Sequence, residues 1–366
     1  MIYADNAAAS PLDPEIFPAM KEFLLDDYAN PSQPYSFSRK ARKAIADSRE
    51  RIAHCINAEP DEIFFTSGGS ESDNWAVKSS GRQKIITSEI EHKAVLKSSH
   101  ASSSNVKEIP VDSSCTVIIS ELENALKESQ TPPLVSIMLA NNETGAIQPV
   151  KNLAEISHKY GAIFHTDAVQ ALGHITVDVK ALDVDMLSGS SHKFNGPRGV
   201  GFLYVKRGVS IRPFVDGGSQ ESGLRAGTEN TAGIVGMSLA LANNCREIQR
   251  NMSHLLTLEN ILLDGLRRNN IDFIRNGKNT LPGLLSLSFR NESGERILHR
   301  LDLKGICIST GSACNGMSQN PSHVIRSMNL PPEYAQGTVR ISFGKFSTED
   351  DAEIIAESLA KIIPIR

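Results

Sequence analysis

The stretch Glu62-Ile-Phe-Phe-Thr-Ser-Gly-Gly-Ser-Glu71 predicts a short apolar strand, a glycine turn and the start of a helix near Glu71. Glycines let backbone N–H groups approach an anion closely, and a helix N-terminus adds a positive partial charge. The hydroxyl of Ser70 could complete such an anion site. Taken alone, the pattern is equally typical of an ordinary turn with a serine cap. Its spacing matches neither a P-loop nor a dinucleotide-binding fingerprint.

Outward from this stretch, short apolar runs alternate with amphipathic helical stretches from about residue 14 to residue 248. The predicted strands are 63–66, 85–87, 134–139, 162–166, 186–188 and 200–205, and the predicted helices include 39–55 and 150–160. Several of these strands are almost wholly apolar, as expected of strands buried on both faces. The alternation therefore predicts an α/β protein with a mostly parallel sheet wrapped by helices.

The pattern changes after about residue 251, where a long helical stretch leads into an alternating strand at 281–289. We predict a large domain over residues 12–248. A smaller α+β domain is expected to combine residues 1–11 with residues 249–366. In open parallel sheets, ligands bind beyond the carboxyl ends of the strands, so the residues that follow each strand are the most informative.

Composition excludes several classes of protein. The 366 residues carry 38 basic and 42 acidic side chains, a net charge of −4, which argues against a basic nucleic-acid-binding protein. No apolar run approaches the ~20 residues needed to cross a bilayer. The five cysteines are scattered, as is typical of thiols in a reducing compartment, and no His/Cys pattern indicates a metal site. The N-terminal sequence lacks signal-peptide features, so we expect a cytoplasmic protein.

Two further strand ends carry chemistry. Met186-Leu-Ser-Gly-Ser-Ser-His-Lys193 places phosphate-binding side chains directly beside a lysine, whose amine could form a Schiff base. The run 162–170 places Asp167 at a strand end, three residues before Gln170. A carboxylate there could keep a pyridine nitrogen protonated. In isolation, a surface lysine and a helix-capping aspartate would explain the same residues.

The three features together are the protein groups that pyridoxal phosphate requires: a phosphate cradle, a carboxylate and a lysine. Further motifs follow in order over nearly the whole chain. They are Tyr3-Ala-Asp-Asn6, Asn30-Pro-Ser32, Glu91-His-Lys-Ala-Val95, Asn141-Asn-Glu-Thr-Gly145, Arg225-Ala-Gly-Thr-Glu-Asn230, Ser309-Thr-Gly-Ser-Ala-Cys314, Pro321-Ser-His-Val324 and Val339-Arg-Ile-Ser-Phe-Gly344. In this order the sequence resembles the cysteine desulfurases of the NifS/IscS type, within the class-V aminotransferases. These are fold-type I pyridoxal-phosphate enzymes with a seven-stranded sheet.

The resemblance implies a role for each matching residue. Lys193 would hold pyridoxal 5'-phosphate as a Schiff base and then move the substrate's Cα proton. His92 would stack on the cofactor ring and act as an acid or base near the substrate thiol. Asp167 would pair with the pyridine nitrogen and Gln170 with the ring oxygen. The remaining implied contacts are Gly69, Ser70, Ser190 and His192 with the phosphate, Thr228 with the phosphate of the neighbouring subunit of a homodimer, and Asn142 and Arg340 with the substrate carboxylate. Asn142 is also expected to contact the cofactor.

Cys314 would be the nucleophile. Its Gly- and Ser-containing surroundings are typical of an exposed loop, whereas Cys307, Cys55 and Cys245 are typical of buried apolar positions. The implied reaction takes sulfur from L-cysteine, releases L-alanine and leaves a persulfide on Cys314 for a sulfur-acceptor protein. That acceptor could be an iron–sulfur scaffold or a tRNA-thiolation relay. Direct nucleic-acid and membrane binding are not expected.

Three places depart from the family pattern: residues 33–35, Asn195 after the lysine motif, and Asn6-Ala-Ala-Ala-Ser10 in place of a threonine pair. Another class-V activity, such as a selenocysteine lyase or an aminotransferase, would use the same lysine and phosphate site. A nicotinamide dehydrogenase lacks support because the glycine fingerprint is missing. A catalytically silent homologue is disfavoured because lysine, histidine, acid, arginine and cysteine are all present.

Overall fold

The computed structural model describes residues 1–310 and 321–364. Its strands are β1 (Ile2–Tyr3), β2 (Ile63–Thr66), β3 (Lys84–Ser88), β4 (Asn105–Ile109), β5 (Leu134–Ser136), β6 (Ile163–Asp167), β7 (Met186–Ser190), β8 (Gly201–Val205), β9 (Phe273–Asn276), β10 (Leu284–Phe289), β11 (Ile306–Cys307) and β12 (Thr338–Ser342). Its helices are α1 (Phe17–Leu25), α2 (Arg39–Cys55), α3 (Gly69–Ser79), α4 (Lys93–Ser102), α5 (Ile119–Lys127), α6 (Val150–Lys159), α7 (Val179–Leu182), α8 (Thr231–Arg246), α9 (Ile248–Arg268), α10 (Gly294–Asp302), α11 (His323–Ser327), α12 (Pro332–Ala335) and α13 (Glu349–Ile362).

The central sheet has seven strands in the order β2-β8-β7-β6-β5-β3-β4. Strands β7, β6, β5, β3 and β4 are mutually parallel, and β8 pairs antiparallel with both β7 and β2. Every residue of β5, β7 and β8 is buried. The largely apolar composition of β5 and β8 predicts this burial, whereas β7 also buries Ser188 and Ser190. The predicted α/β class with a mostly parallel, seven-stranded sheet is confirmed.

Strand β4, at one edge of the sheet, was not predicted. Its residues 105–109 include only two apolar side chains, which are not adjacent, and they are mostly half-buried or exposed, so the strand lacks an apolar run. Strand β5 ends at Ser136, three residues before its predicted end. The Met138 amide donates to the Glu91 carboxylate instead of to a neighbouring strand. Helix α3 begins at Gly69, two residues earlier than predicted.

The C-terminal part of the chain builds smaller sheets around a second apolar core. Strands β12, β10 and β9 form an antiparallel sheet, and β1 pairs in parallel with β11. Helices α9 and α13 pack closely together beside them. The N-terminal residues are therefore joined to the C-terminal sheets, while the division into two domains at residue 248 stays a prediction. Within the described ranges, no helix has the length and apolar character that a membrane crossing requires.

Candidate active site

One cavity of about 600 Å³ collects most of the predicted site residues at the carboxyl ends of the parallel strands. The predicted residues that line it are Gly69, Ser70, His92, Asn142, Asp167, Gln170, Ser190, His192, Lys193 and Arg340. Thr228 is exposed to solvent and does not line this cavity. Cys314 lies outside the described residues.

One end of the cavity is formed by the backbone at the start of α3. The preceding Gly68 has φ +151° and ψ −179°, a conformation that side-chain-bearing residues rarely adopt. A Cβ added at Gly69 would lie 2.7 Å from Val169 Cγ2, so glycine is needed there for close packing. Because the first N–H groups of a helix have no partner within the helix, this end is suited to an anion.

An ion pair holds the turn before α3. Arg225 Nε donates to Glu71 Oε1 at 2.8 Å, and the Ser67 amide donates to Oε2 of the same carboxylate at 2.8 Å. Although burial opposes ionisation, these hydrogen bonds hold the pKa of Glu71 below its ordinary value. The sequence analysis did not single out either charged residue as part of the site. Their separation by 154 positions leaves no local signal of the pairing.

Ser190 and His192 approach the same end from β7. Ser190 Oγ lies 3.0 Å from His192 Nδ1. Burial, with additional effects of the nearby Lys193 and Arg198 cations, lowers the pKa of His192 to about 4. His192 is therefore neutral near pH 7, and the positive charge at this end comes from Lys193 and Arg198, which also line the cavity.

Asp167 ends β6 and lies almost wholly buried. The Val169 amide donates to its Oδ1 at 2.9 Å. Burial raises the pKa of Asp167, while the nearby His92 and Lys193 act in the opposite direction. A cationic ring nitrogen placed against this carboxylate would favour its ionised form in the same way.

Further buried ionisable groups lie near Asp167, and the sequence analysis missed them. Burial and the proximity of Asp167 raise the pKa of Asp73, and burial raises the pKa of Glu91 to about 8. His165 Nε2 lies 2.9 Å from Ser188 Oγ, and its burial lowers its pKa to about 3. Asp73 follows the glycine turn by four residues on α3, which is the only local signal of its place in the cavity wall.

Lys193 follows β7 in a short 3-10 helix, and its amine reaches the N-terminal segment of the chain. Nζ donates to the carbonyl oxygens of Ala7 at 2.6 Å and Ala8 at 2.9 Å. Gln170 Nε2 donates to the same Ala7 carbonyl at 2.9 Å. The alanine segment that departs from the family pattern therefore forms the wall beside the lysine.

His92 caps the N-terminus of α4. Its Nδ1 accepts a hydrogen bond from the Ala94 amide at 3.2 Å, so the neutral ring carries its proton on Nε2. Burial lowers the pKa of His92, and the nearby Lys193 cation adds to this effect, although Asp167 opposes it. A neutral imidazole with a fixed tautomer is thus held at the cavity wall.

Arg340 on β12 provides the cation at the opposite side. Its Nη1 donates to the Asn142 carbonyl oxygen at 2.8 Å, and its Nη2 donates to Asp5 Oδ1 at 2.7 Å. Only 4% of the side chain is exposed. The Asn142 contact comes from its backbone, and the expected contact of Asn142 with the substrate carboxylate stays a prediction.

The pattern of the family Aminotransferase class-V matches residues 2–355 of this sequence. The chain belongs to this family. It is 43% identical to a protein of Dictyoglomus turgidum named cysteine desulfurase IscS, over 99% of this chain and 94% of that protein. A solved structure titled NifS-like protein superposes with a TM-score of 0.91 at 37% identity, covering 99% of this chain and 98% of that one. A structure titled SspA in complex with cysteine superposes with a TM-score of 0.82 at 32% identity, covering 95% of this chain and all of the other.

Class-V aminotransferases use pyridoxal phosphate, and the cavity of this family member fits that group. The open helix N-terminus suits a phosphate, the buried carboxylate of Asp167 suits a protonated ring nitrogen, and the amine of Lys193 lies at the same cavity. Within residues 1–310 and 321–364, no group of three or more His, Cys, Asp or Glu side chains is arranged to hold a metal ion.

Proposed function

We propose that this protein is a pyridoxal-phosphate-dependent cysteine desulfurase. It would take sulfur from L-cysteine, release L-alanine and keep the sulfur as a persulfide on Cys314. The observation that carries the proposal is the meeting of Lys193, Asp167, the anion-binding end of α3 and Arg340 around one cavity. The names of the relatives support cysteine as the substrate.

Lys193 is proposed to hold the cofactor and then to transfer the substrate's Cα proton. When bound, pyridoxal phosphate withdraws electrons from the Cα of an amino acid. A released Lys193 amine would remain beside the site, because the carbonyls of Ala7 and Ala8 accept its N–H groups. A general base must lie within hydrogen-bonding reach of the proton it takes, and this retention keeps the amine close.

Asp167 and the start of α3 would orient the cofactor from its two ends. The carboxylate of Asp167 would accept the N–H of the ring, and the backbone around Gly69, with Ser70, Ser190 and His192, would bind the phosphate. Gln170 would contact the ring oxygen. His92 would cover the ring face and exchange a proton with the substrate thiol, and its neutral Nε2–H tautomer suits it to that exchange.

Arg340 and Asn142 are proposed to bind the substrate carboxylate, because a guanidinium can donate two parallel N–H groups to two oxygens. Ser309 pairs in antiparallel fashion with Arg340, with N–O distances of 3.0 and 2.7 Å. The chain segment that leads toward Cys314 thus starts beside the proposed carboxylate site. The thiolate of Cys314 would attack the substrate sulfur, forming an S–S bond as the Cβ–S bond breaks.

We further propose a cytoplasmic homodimer that passes its sulfur to an acceptor protein. Thr228 is exposed and does not line the cavity of its own chain, as expected of a residue that serves the neighbouring subunit. The acceptor is proposed to be an iron–sulfur scaffold or a tRNA-thiolation relay.

Mass spectrometry after addition of L-cysteine tests the proposed reaction. We expect a gain of one sulfur atom on Cys314 together with release of alanine. Cys314→Ala should keep the yellow cofactor and lose sulfide release, while the matched control Cys307→Ala should retain both. Full desulfurase turnover by Cys314→Ala would contradict the persulfide step.

A second measurement tests the lysine. Borohydride reduction should attach the cofactor to Lys193 in the unaltered protein, and Lys193→Ala should lose both this adduct and turnover. Parallel assays with L-cysteine, cysteine sulfinate and selenocysteine separate the proposed activity from the other class-V reactions. Faster turnover of selenocysteine without sulfur loading of Cys314 would favour a selenocysteine lyase instead.

A further inference from the structure

The guanidinium of Arg340 is held by two different parts of the chain. The Asn142 carbonyl accepts from Nη1 and the Asp5 carboxylate accepts from Nη2. Nε is buried and has no hydrogen-bond partner among the described residues. Each terminal nitrogen carries two N–H groups, and the described residues take one from each. One N–H therefore remains on Nη1 and one on Nη2, besides that of Nε, so the guanidinium keeps donors for the two oxygens of a carboxylate.

The position of Asp5 is fixed by backbone pairing. The Ser342 amide donates to the Ala4 carbonyl at 2.8 Å, and the Asn6 amide donates to the Ser342 carbonyl at 3.1 Å. Asp5 thus lies opposite Ser342, two residues beyond Arg340 on β12. Its side chain is 18% exposed, so its charge is only partly screened by water.

We propose that Asp5 is a positioning residue for the substrate carboxylate. Its Oδ1 and the Asn142 carbonyl grip the guanidinium from two sides and leave the remaining N–H pair of Arg340 for the substrate. The inference rests on the proposed function, in which Arg340 binds the carboxylate of L-cysteine. The grip has an electrostatic cost, because a bound substrate brings a second negative charge to a guanidinium that already faces one.

Because the hydrogen bond of Asp5 favours substrate binding and its negative charge opposes it, two variants of Asp5 should change KM in opposite directions. In Asp5→Asn, the amide oxygen still accepts from Nη2 but the negative charge is gone. We expect the KM for L-cysteine to fall about threefold to tenfold, with kcat changed less than twofold. In Asp5→Ala the grip is lost as well, and we expect KM to rise about tenfold. A purely structural role would not move KM in opposite directions.

Asp13→Asn is the matched control. Asp13 lies on the same N-terminal segment and forms a buried ion pair with Lys345 at 2.6 Å, but neither residue lines the cavity. We expect this variant to lower thermal stability and to leave KM unchanged within twofold.

A binding measurement on the cofactor-loaded protein provides a readout that does not depend on turnover. Calorimetry with 3-mercaptopropionate, which has a carboxylate but no amine, should show tighter binding to Asp5→Asn and weaker binding to Asp5→Ala. Cysteamine, which lacks the carboxylate, should bind all three proteins alike. Equal changes of KM and affinity in both variants, or no change in either, would overturn the role of Asp5. If the unaltered protein releases no alanine from L-cysteine, the proposed function fails instead, and the 3-mercaptopropionate affinities still decide the role of Asp5.

Discussion

A single hydroxyl joins the backbone on both sides of Lys193, and its removal should loosen the lysine. Ser10 Oγ donates to the His192 carbonyl at 2.8 Å and accepts from the Asn195 amide at 2.7 Å. The Asn195 side chain also donates to the Pro11 carbonyl at 2.9 Å. The perturbation is Ser10→Ala, which removes both contacts of the hydroxyl and adds no bulk.

The loss of stability in Ser10→Ala depends on whether the two backbone groups bonded to the Ser10 hydroxyl keep another hydrogen-bond partner. The His192 carbonyl keeps a second donor, the Ser10 amide at 2.8 Å, so its loss is small. The Asn195 amide loses its acceptor in a residue that is only 4% exposed. An unsatisfied buried donor costs about 1–3 kcal/mol, and the lost hydrogen bond to the carbonyl adds about 1 kcal/mol or less. For a chain of this length, about 2–3 kcal/mol corresponds to a fall in Tm of roughly 3 °C.

Scanning calorimetry of the cofactor-free protein measures this change directly. Ser48→Ala is the matched control, because Ser48 is also buried and its hydroxyl donates to the Ala44 carbonyl within α2. We expect Ser48→Ala to change Tm by about 1 °C or less. Ser10→Thr retains the hydroxyl and should recover most of the loss. Equal Tm values for Ser10→Ala and Ser48→Ala would show that the Ser10 hydroxyl does not hold the backbone beside Lys193.

Two further predictions concern the cavity wall. Glu91 is buried, with Oε1 accepting from Ser88 and the Met138 amide and Oε2 unpartnered, and its pKa is raised to about 8 from an ordinary value of 4.5. Between these two pH values the folded state therefore holds a proton that the unfolded state has lost. The free energy of unfolding should fall by roughly 3–5 kcal/mol in total as pH rises from about 4.5 to 8. In Glu91→Gln, Tm measured against pH should show a smaller fall over this range. Gly69→Ala places a Cβ 2.7 Å from Val169 Cγ2 and should weaken pyridoxal-phosphate binding about tenfold in equilibrium titrations. The double variant that also carries Val169→Ala should recover the affinity. A double variant that binds no more tightly than Gly69→Ala would contradict the steric explanation.

The fold was predictable because each inner strand contains at least two consecutive apolar residues and several are followed by a polar or glycine turn. Asp167 and Ser190 end the parallel strands β6 and β7 and therefore lie at the same end of the sheet, as their predicted positions require. Strand β4, at one edge of the sheet, was not predictable in this way, because only Val106 and Ile109 are apolar among its residues. The strand at the other edge, β2, is largely apolar and buried and was predicted. Apolar runs report burial, and β4 is only partly buried.

The site was predictable where its residues follow strands, and unpredictable where it depends on pairs far apart in the sequence. Arg225 with Glu71 and Arg340 with Asp5 are joined only by the folded chain. The pKa shift of Glu91 likewise has no sequence signal, because it arises from complete burial. Local patterns therefore identify the reacting groups and omit the charges that set their orientation and ionisation.

The N-terminal segment brings two departures from the family pattern, the alanines at residues 7–9 and Asn195, close together beside Lys193. The carbonyls of Ala7 and Ala8 hold the lysine amine, so the side chains at these positions do not make that contact, and alanine suffices. Such a backbone contact works only if the segment itself is fixed. Ser10 and Asn195 supply that fixation, and Asn195 has φ +62°, a left-handed conformation in which asparagine is enriched. The two departures are thus linked through the Ser10 hydroxyl and the Asn195 backbone, and a threonine pair restored at the alanines should leave the lysine contacts intact while narrowing the cavity.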